Sequence, residues 1–342
     1  MSEIIQYIQE LSEKKNLSRI ESGRVFQIIS HGGATPAQIA AILMGLSQKG
    51  ETVEEITGAA EAWQARCGKV NAPIGTIDIC GIGNNSLNIL NISTAAGLVI
   101  AGCGVPIAKH HNRITSCTTC SAEILHELGV NVEPDLSLVE RSLIENNFCF
   151  MITAKFHQAM RNILPICSEI RIKTMLNITS ALCNPAFVKR IVLGVSNYEH
   201  LKPMAEVLRN LGFIKAWVVY GSCGIDELTL SGVSHVAELK NGEISLFELE
   251  PLDYKMDKIE QSEIYGGSTI YNTKKLTNLL SSVKDGYYNT VVINAAAGLI
   301  VADKAKDLKE GIELAKESID SGRAKSVLKK LVEITNLNIK GE

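Results

Sequence analysis

The first seventy residues combine helix-start signals with apolar positions at helical spacing. Three hydroxyl residues are each followed, three positions later, by an acid or an amide: Ser18 with Glu21, Thr35 with Gln38, and Thr52 with Glu55. In such a capping box the two side chains satisfy free backbone donors at a helix N-terminus. Ile39, Leu43 and Leu46 then recur on one helical face. This pattern predicts a small helical lobe.

The spacing of apolar residues changes after Gly75. Apolar and polar residues alternate over residues 76–80, as in a strand, and a glycine-rich turn follows. Further strands are predicted by apolar runs at residues 105–108, 148–152, 191–195 and 216–220. Stretches of helical length, such as 201–211, separate several of them, which favours a mainly parallel sheet. A Lys-Asn-Gly turn between residues 235–239 and 243–247 predicts a hairpin.

The sequence therefore predicts an α/β fold with a small all-helical N-terminal lobe and a large α/β lobe around a mainly parallel central sheet. We expect residues 1–71 with 157–185 to form the helical lobe, and residues 72–156 with 186–342 to form the α/β lobe. A ligand site is expected between the two lobes.

Composition excludes several kinds of partner. The 34 basic and 37 acidic residues give a net charge of −3, so a nucleic-acid partner is not expected. No apolar run approaches the roughly 18 residues of a membrane span, and the N-terminus is charged and amphipathic, so we expect a cytoplasmic protein. The nine cysteines are mostly scattered, and the one C-x-x-C pair, Cys117 and Cys120, lacks the second pair of a zinc site.

The densest polar cluster begins at the glycine turn. Gly81 and Gly83 let the backbone approach a ligand, and Asn91-Ile-Ser93-Thr94 then opens an apolar helical run. Hydroxyl groups and free N–H groups at a helix start form an anion site. The alternative, that Ser93 is only a helix cap, explains the serine without the glycine turn, so we favour a phosphate site.

Two further segments supply charge. Lys109-His-His-Asn112-Arg113 is followed by hydroxyl residues up to Ser121, as in a loop that wraps a phosphate, although such a run can equally be a solvated loop. Asp226 and Glu227 follow a predicted strand, where adjacent carboxylates can hold a hard cation together with substrate phosphates. Taken alone, such a pair is more often exposed surface charge, and we expect these carboxylates on an exposed loop.

The order of these segments resembles the anthranilate phosphoribosyltransferases, a family with the nucleoside phosphorylase-like fold. The similar segments extend over nearly the whole chain: Ala34-Thr-Pro-Ala-Gln-Ile-Ala-Ala, Asp78-Ile-Cys-Gly-Ile-Gly, Asn91-Ile-Ser-Thr, Lys109-His-x-Asn-Arg, Asp226-Glu-Leu and Asn294-Ala-Ala-Ala. The resemblance implies transfer of phosphoribose from phosphoribosyl pyrophosphate (PRPP) to anthranilate with release of pyrophosphate, a step of tryptophan biosynthesis. It also implies Mg²⁺ as cofactor and a homodimer formed through the helical lobe.

The resemblance implies roles for individual residues as well. It implies PRPP contacts from Gly81, Gly83, Asn84, Asn85, Asn91, Ser93, Thr94, Lys109, Asn112, Arg113 and Ser121. It implies acceptor contacts from Asn112, His157 and Cys167, and magnesium ligands from Ser93, Asp226 and Glu227. No covalent nucleophile is implied, because positioning and electrostatics supply most of the acceleration.

Several positions depart from the family pattern. The family's Gly-Thr-Gly-Gly-Asp turn appears as Gly81-Ile-Gly-Asn84-Asn85, and its acceptor-binding arginine corresponds to Cys167. A family His-His-Pro segment appears as Phe156-His-Gln. Two alternatives therefore stay open: PRPP-dependent transfer to another aromatic amine or base, and a non-catalytic descendant that binds a nucleotide or nucleic acid.

Overall fold

The computed structural model describes residues 3–82, 88–111, 119–157, 160 and 163–337. Four helices form its N-terminal part: α1 (Glu3–Ser12), α2 (Arg19–Ser30), α3 (Pro36–Lys49) and α4 (Val53–Gln64). The three predicted capping boxes are confirmed, because Ser18, Thr35 and Thr52 each accept the backbone N–H three residues later and the reciprocal bond is present. Local hydrogen bonding thus determines where these helices begin.

Strands and helices alternate through the rest of the chain. In order they are β1 (Asp78–Gly81), α5 (Ile92–Gly102), β2 (Ile107–His111), α6 (Ser121–Glu127), α7 (Leu136–Asn146), β3 (Phe148–Ile152), α8 (Thr153–Phe156), α9 (Leu164–Ile170), α10 (Met175–Leu182), β4 (Arg190–Gly194), α11 (Leu201–Asn210), β5 (Lys215–Gly221), β6 (Ser234–Lys240), β7 (Glu243–Leu249), α12 (Thr269–Leu279), α13 (Gly286–Val301), α14 (Leu308–Asp320) and α15 (Arg323–Thr335). Short 3₁₀ turns lie at Tyr198–His200, Pro251–Tyr254 and Gln261–Ile264.

The central sheet is mainly parallel, as predicted. Strand β1 pairs with β4, β4 with β5 and β2 with β3, all in parallel. A parallel bridge between Ile77 and Ile107 connects β1 to β2, which gives the strand order β3-β2-β1-β4-β5-β6-β7. The last three strands are antiparallel, and the predicted hairpin joins β6 to β7.

One strand prediction is wrong at both ends. Residues 105–108 were expected to form it, whereas β2 begins at Ile107 and continues to His111. Val105 precedes a proline, which has no N–H to donate to a sheet. At the other end, Lys109 to His111 pair in register with the buried strand β3. Pairing with a distant strand therefore extends β2 into a segment that looks like a polar loop.

Helices α9 and α10 return to the N-terminal helices and pack against α3 and α4. Their buried residues share one apolar core with those of α1 to α4, whereas α5 and α13 lie in a second core beside the sheet. The boundaries at 71/72, 156/157 and 185/186 stay a prediction. None of the helices in the described part of the chain is long and apolar enough to span a membrane.

Candidate active site

A cavity of about 220 Å³ lies at the carboxyl ends of β1 and β2. Parallel strands bring their carboxyl ends to the same edge of a sheet, which is where open α/β sheets bind ligands. The start of α5, the segment before α6, helix α10 and the pair Asp226 and Glu227 complete the walls. The three segments singled out in the sequence therefore converge on one cavity.

The start of α5 supplies hydroxyl groups that neighbouring elements hold in place. Lys109 Nζ donates to Ser93 Oγ at 3.1 Å, and Thr94 Oγ1 donates to Ser121 Oγ at 2.7 Å. Ser93, Lys109 and Ser121 line the cavity, whereas Thr94 is fully buried and is not part of its wall. The helix dipole and an ammonium group together favour an anion here.

Lys109 belongs to strand β2 rather than to a loop. Its side chain is buried, and Nζ also donates to the carbonyl of Ile79 at 2.8 Å. A strand position and two hydrogen bonds fix the ammonium group before any ligand binds. Such preorganised charge is what a site for a leaving pyrophosphate requires.

Asn91 lines the cavity, and both ends of its side-chain amide are engaged by the protein. Its Nδ2 donates to the carbonyl of Thr119 at 3.2 Å, and its Oδ1 accepts from Asn272 Nδ2 at 3.4 Å. The hydroxyl of Tyr287 donates to its backbone carbonyl at 3.3 Å. The hydrogen bonds of Asn91 therefore connect α12, α13 and the segment before α6 to the start of α5.

The paired acids are buried, contrary to the expectation of an exposed loop. Asp226 and Glu227 are only 8% and 7% exposed. Asp226 reaches this position because two glycines admit it: a Cβ on Gly81 would lie 2.0 Å from Asp226 Oδ2, and one on Gly194 would lie 1.7 Å from the Asp226 carbonyl oxygen. The missing side chains allow Asp226 to lie against the ends of β1 and β4.

Burial and charge shift the titration of Glu227. Desolvation and the neighbouring Asp226 raise the pKa of Glu227 to about 8, while Lys109 and the backbone N–H of Ser93 oppose the rise. A buried pair of carboxylates costs free energy unless a cation compensates it. Two carboxylates beside a helix start that favours anions suit Mg²⁺, which usually binds through one or two carboxylates with phosphate oxygens and water. Among the described residues no group of three His, Cys, Asp or Glu side chains could hold a metal.

The sequence interpretation missed a buried polar network behind the cavity. His110 Nδ1 lies 2.6 Å from Asp78 Oδ2, and His110 Nε2 lies 2.8 Å from the carbonyl of Ser180. Asn184 Nδ2 donates to the same Asp78 oxygen at 2.8 Å and to the carbonyl of Ala108 at 2.7 Å. The network fastens α10 to β1 and β2. A polar Asp78 inside an apolar strand was the signal available in the sequence.

Two residues predicted to contact the acceptor, His157 and Cys167, do not line this cavity. His157 is buried, with Nε2 2.8 Å from the carbonyl of Cys183 and 3.0 Å from Cys67 Sγ, and burial lowers its pKa to about 4. Cys167 is buried in α9, 4.0 Å from Thr174 Oγ1. Neither lines the cavity, so the structure does not bring them to the phosphate residues. Gly83, Asn84, Asn85, Asn112 and Arg113 lie outside the described residues.

Comparison with known proteins gives consistent results over the length of the chain. Residues 5–67 match the helical bundle domain of a glycosyl transferase family, and residues 74–325 match its a/b domain. An anthranilate phosphoribosyltransferase from Azospirillum brasilense is 44% identical, over 95% of this chain and 91% of its own length.

Solved structures agree with this. The anthranilate phosphoribosyltransferase of Thermus thermophilus superposes with a TM-score of 0.91 at 32% identity, covering 98% of this chain and all of that one. The Saccharomyces cerevisiae enzyme, solved in complex with PRPP and Mg, has a TM-score of 0.87 at 24% identity and covers 97% of each chain. At that identity the second likeness shows the fold alone.

Proposed function

The chain belongs to the anthranilate phosphoribosyltransferases, and we propose that the phosphoribosyl group of PRPP is transferred to anthranilate, with release of pyrophosphate, in its cavity at the carboxyl edge of β1 and β2. The observation that carries the proposal is the convergence of the α5 start, Lys109 and the two buried acids. An anion site, a fixed cation and a pair of metal-binding carboxylates are the groups that departure of pyrophosphate requires.

We assign the phosphate groups to the side of the cavity formed by Ser93, Lys109 and Ser121. Lys109 is buried and already positioned by Ile79 and Ser93, so little reorganisation accompanies binding. The side chain of Asn91 holds the start of α5 next to the segment before α6 by donating to the carbonyl of Thr119. Gly83, Asn84, Asn85, Asn112 and Arg113 stay predicted PRPP residues on the strength of the resemblance.

The residues present fit a magnesium ion. Asp226 and Glu227 would hold it with the hydroxyl of Ser93, and the ion would stabilise the negative charge of the pyrophosphate. Burial and the charge of Asp226 raise the pKa of Glu227, and a bound cation would favour its ionised form.

The protein itself contributes binding and orientation. Positive charge grows on the ribose as the bond to pyrophosphate breaks, and Lys109 stabilises the negative charge of the leaving group. The nitrogen of anthranilate then bonds to the ribose carbon that carried the pyrophosphate and releases a proton, which the departing pyrophosphate or solvent takes up. Asn112, His157 and Cys167 stay predicted acceptor residues, although His157 and Cys167 do not line the described cavity.

Turnover of anthranilate tests the proposal. Purified protein with PRPP, magnesium and anthranilate should consume the fluorescent anthranilate and release one pyrophosphate for each molecule consumed. Glu227→Gln should lower kcat/KM by at least about tenfold, because it removes one charged contact to the bound cation. Wild-type protein that consumes only a different aromatic amine or base would reject anthranilate as the acceptor.

We also propose a homodimer through the helical lobe. Ile20 on α2 is 83% exposed and Met44 on α3 is 43% exposed, so the lobe presents two large apolar side chains to solvent. The resemblance implies a dimer through the same lobe. A dimer would cover both side chains.

A further inference from the structure

A second cavity, of about 360 Å³, lies between α10 and the carboxyl ends of β1 and β4. In the sheet, β1 has β2 on one side and β4 on the other, so the chain reverses its direction of winding between β1 and β4. Such a switch point opens a crevice beyond the strand ends, where α/β proteins bind ligands. The walls include Ile82 after β1, Val195 after β4 and Thr174 before α10.

The two cavities meet at Ile82 and Asn177, which line both of them. Asn177 is 6% exposed and stands at the third position of α10. Among the residues that the structure describes, it is the one polar side chain that lines both cavities. A ligand extending from one cavity into the other must pass beside its amide group.

The hydrogen bonds of Asn177 fix which end of the amide faces the cavities. Its Oδ1 accepts the backbone N–H of Thr174 at 3.0 Å and lies 3.4 Å from Thr174 Oγ1, as the reciprocal half of a capping box. A backbone N–H can only donate, so the atom it meets must be the oxygen. Nδ2 is then the free end, and it donates to no acceptor among the residues that the structure describes.

We propose that Asn177 is a substrate-contacting residue whose Nδ2 donates a hydrogen bond to a substrate oxygen at the junction of the two cavities. The inference rests on the proposed function, because both substrates then carry suitable acceptors: a ribosyl hydroxyl or phosphate oxygen on PRPP, and a carboxylate oxygen on anthranilate. The helix cap fixes the amide before the substrate arrives, so the contact costs little side-chain entropy.

Asn177→Asp tests this contact without removing the cap. A carboxylate at the third helical position still accepts from Thr174 and suits the positive end of the helix dipole. It cannot donate, and it repels an anionic oxygen. We expect the KM of one substrate to rise about tenfold to hundredfold, as for loss of a hydrogen bond to a charged group, while the melting temperature stays at the wild-type value. The substrate whose KM rises identifies the oxygen.

Gln38→Glu provides the matched control. Gln38 also stands at the third position of a helix, its Oε1 accepts the N–H of Thr35 at 2.9 Å, and it lines neither cavity. The same exchange of amide for carboxylate should leave both KM values unchanged there. Should Asn177→Asp fail to fold, Asn177→Ala and Gln38→Ala make the same comparison, since each loses one half of a capping box.

The possible results distinguish a failure of the Asn177 contact from a failure of the proposed function. If wild-type protein turns over anthranilate and the aspartate variant keeps both KM values within about twofold, the contact is absent and only this inference is wrong. If wild-type protein shows no turnover, the proposed function fails. Calorimetric titrations of PRPP with magnesium and of anthranilate into both proteins then decide the contact, since equal affinities of the two proteins for each ligand would overturn it.

Discussion

The lack of a side chain at Gly81 allows the carboxylate of Asp226 to lie against the end of β1. Gly81→Ala would place a Cβ 2.0 Å from Asp226 Oδ2, far inside van der Waals contact. We expect the displaced carboxylate to lower kcat/KM at least about tenfold and the overpacking to cost about 1 to 3 kcal/mol of unfolding free energy.

Steady-state kinetics and urea unfolding check both effects. Gly23→Ala is the matched control, because its Cβ would meet the nearest atom, the carbonyl oxygen of Gly58, at an ordinary 3.4 Å. Equal losses in the two variants would show that Gly81 has no special relation to Asp226.

His157 is a residue at which pH controls stability. Burial lowers its pKa to about 4 from the usual 6.5, so the folded state resists protonation. Its contribution to stability is present above pH 6.5 and is lost as the pH falls toward 4. Between pH 7 and pH 5 we expect wild-type protein to lose about 2 kcal/mol more unfolding free energy than His157→Gln. Urea titrations at both pH values test this, and parallel losses would contradict it.

The residues also show what a sequence can and cannot predict. The capping boxes at Ser18, Thr35 and Thr52 were predictable, because they depend on residues three apart. The burial of Asp226 was not, because it depends on glycines in two distant strands. Nor was the strand position of Lys109, which requires pairing with β3.

At the scale of elements, α4 is held in the helical lobe by a buried ion pair. Glu55 is fully buried, accepts from Lys49 Nζ at 2.7 Å and from the backbone N–H of Leu17 at 2.8 Å. Glu55→Ala leaves the Lys49 ammonium buried beside no carboxylate. We expect a loss of about 3 to 5 kcal/mol in unfolding free energy.

Urea unfolding measures that loss. The exposed pair between Arg24 and Glu3 supplies the control, because solvent screens it and Glu3→Ala should leave stability unchanged. A Glu55→Ala protein as stable as wild type would mean that α4 does not depend on this pair.

The strands and helices themselves followed from local patterns to a large extent. The Lys-Asn-Gly turn predicted the β6–β7 hairpin, and apolar alternation predicted β1 before the glycine turn. The network of His110, Asp78 and Asn184 lay beyond such patterns, because it joins three elements far apart in the chain.

At the scale of the whole molecule, the proposed dimer has a direct test. Light scattering should give twice the mass of one chain for wild-type protein. The double variant Ile20→Glu and Met44→Glu should instead have the mass of one chain, because a dimer would bury the new charges in its interface. Leu252→Glu, on an exposed 3₁₀ turn of the sheet-bearing part, should leave it unchanged. A monomeric wild type, or a double variant that stays dimeric, would contradict this face.

The central claim is that the α5 start, Lys109 and the buried acids form one site for PRPP and magnesium. Calorimetric titration of PRPP tests it most directly. We predict one molecule of PRPP bound per chain in the presence of magnesium, with affinity reduced at least about tenfold without the metal or in Glu227→Gln. Absence of binding to wild-type protein, or equal affinity with and without magnesium, would contradict the account.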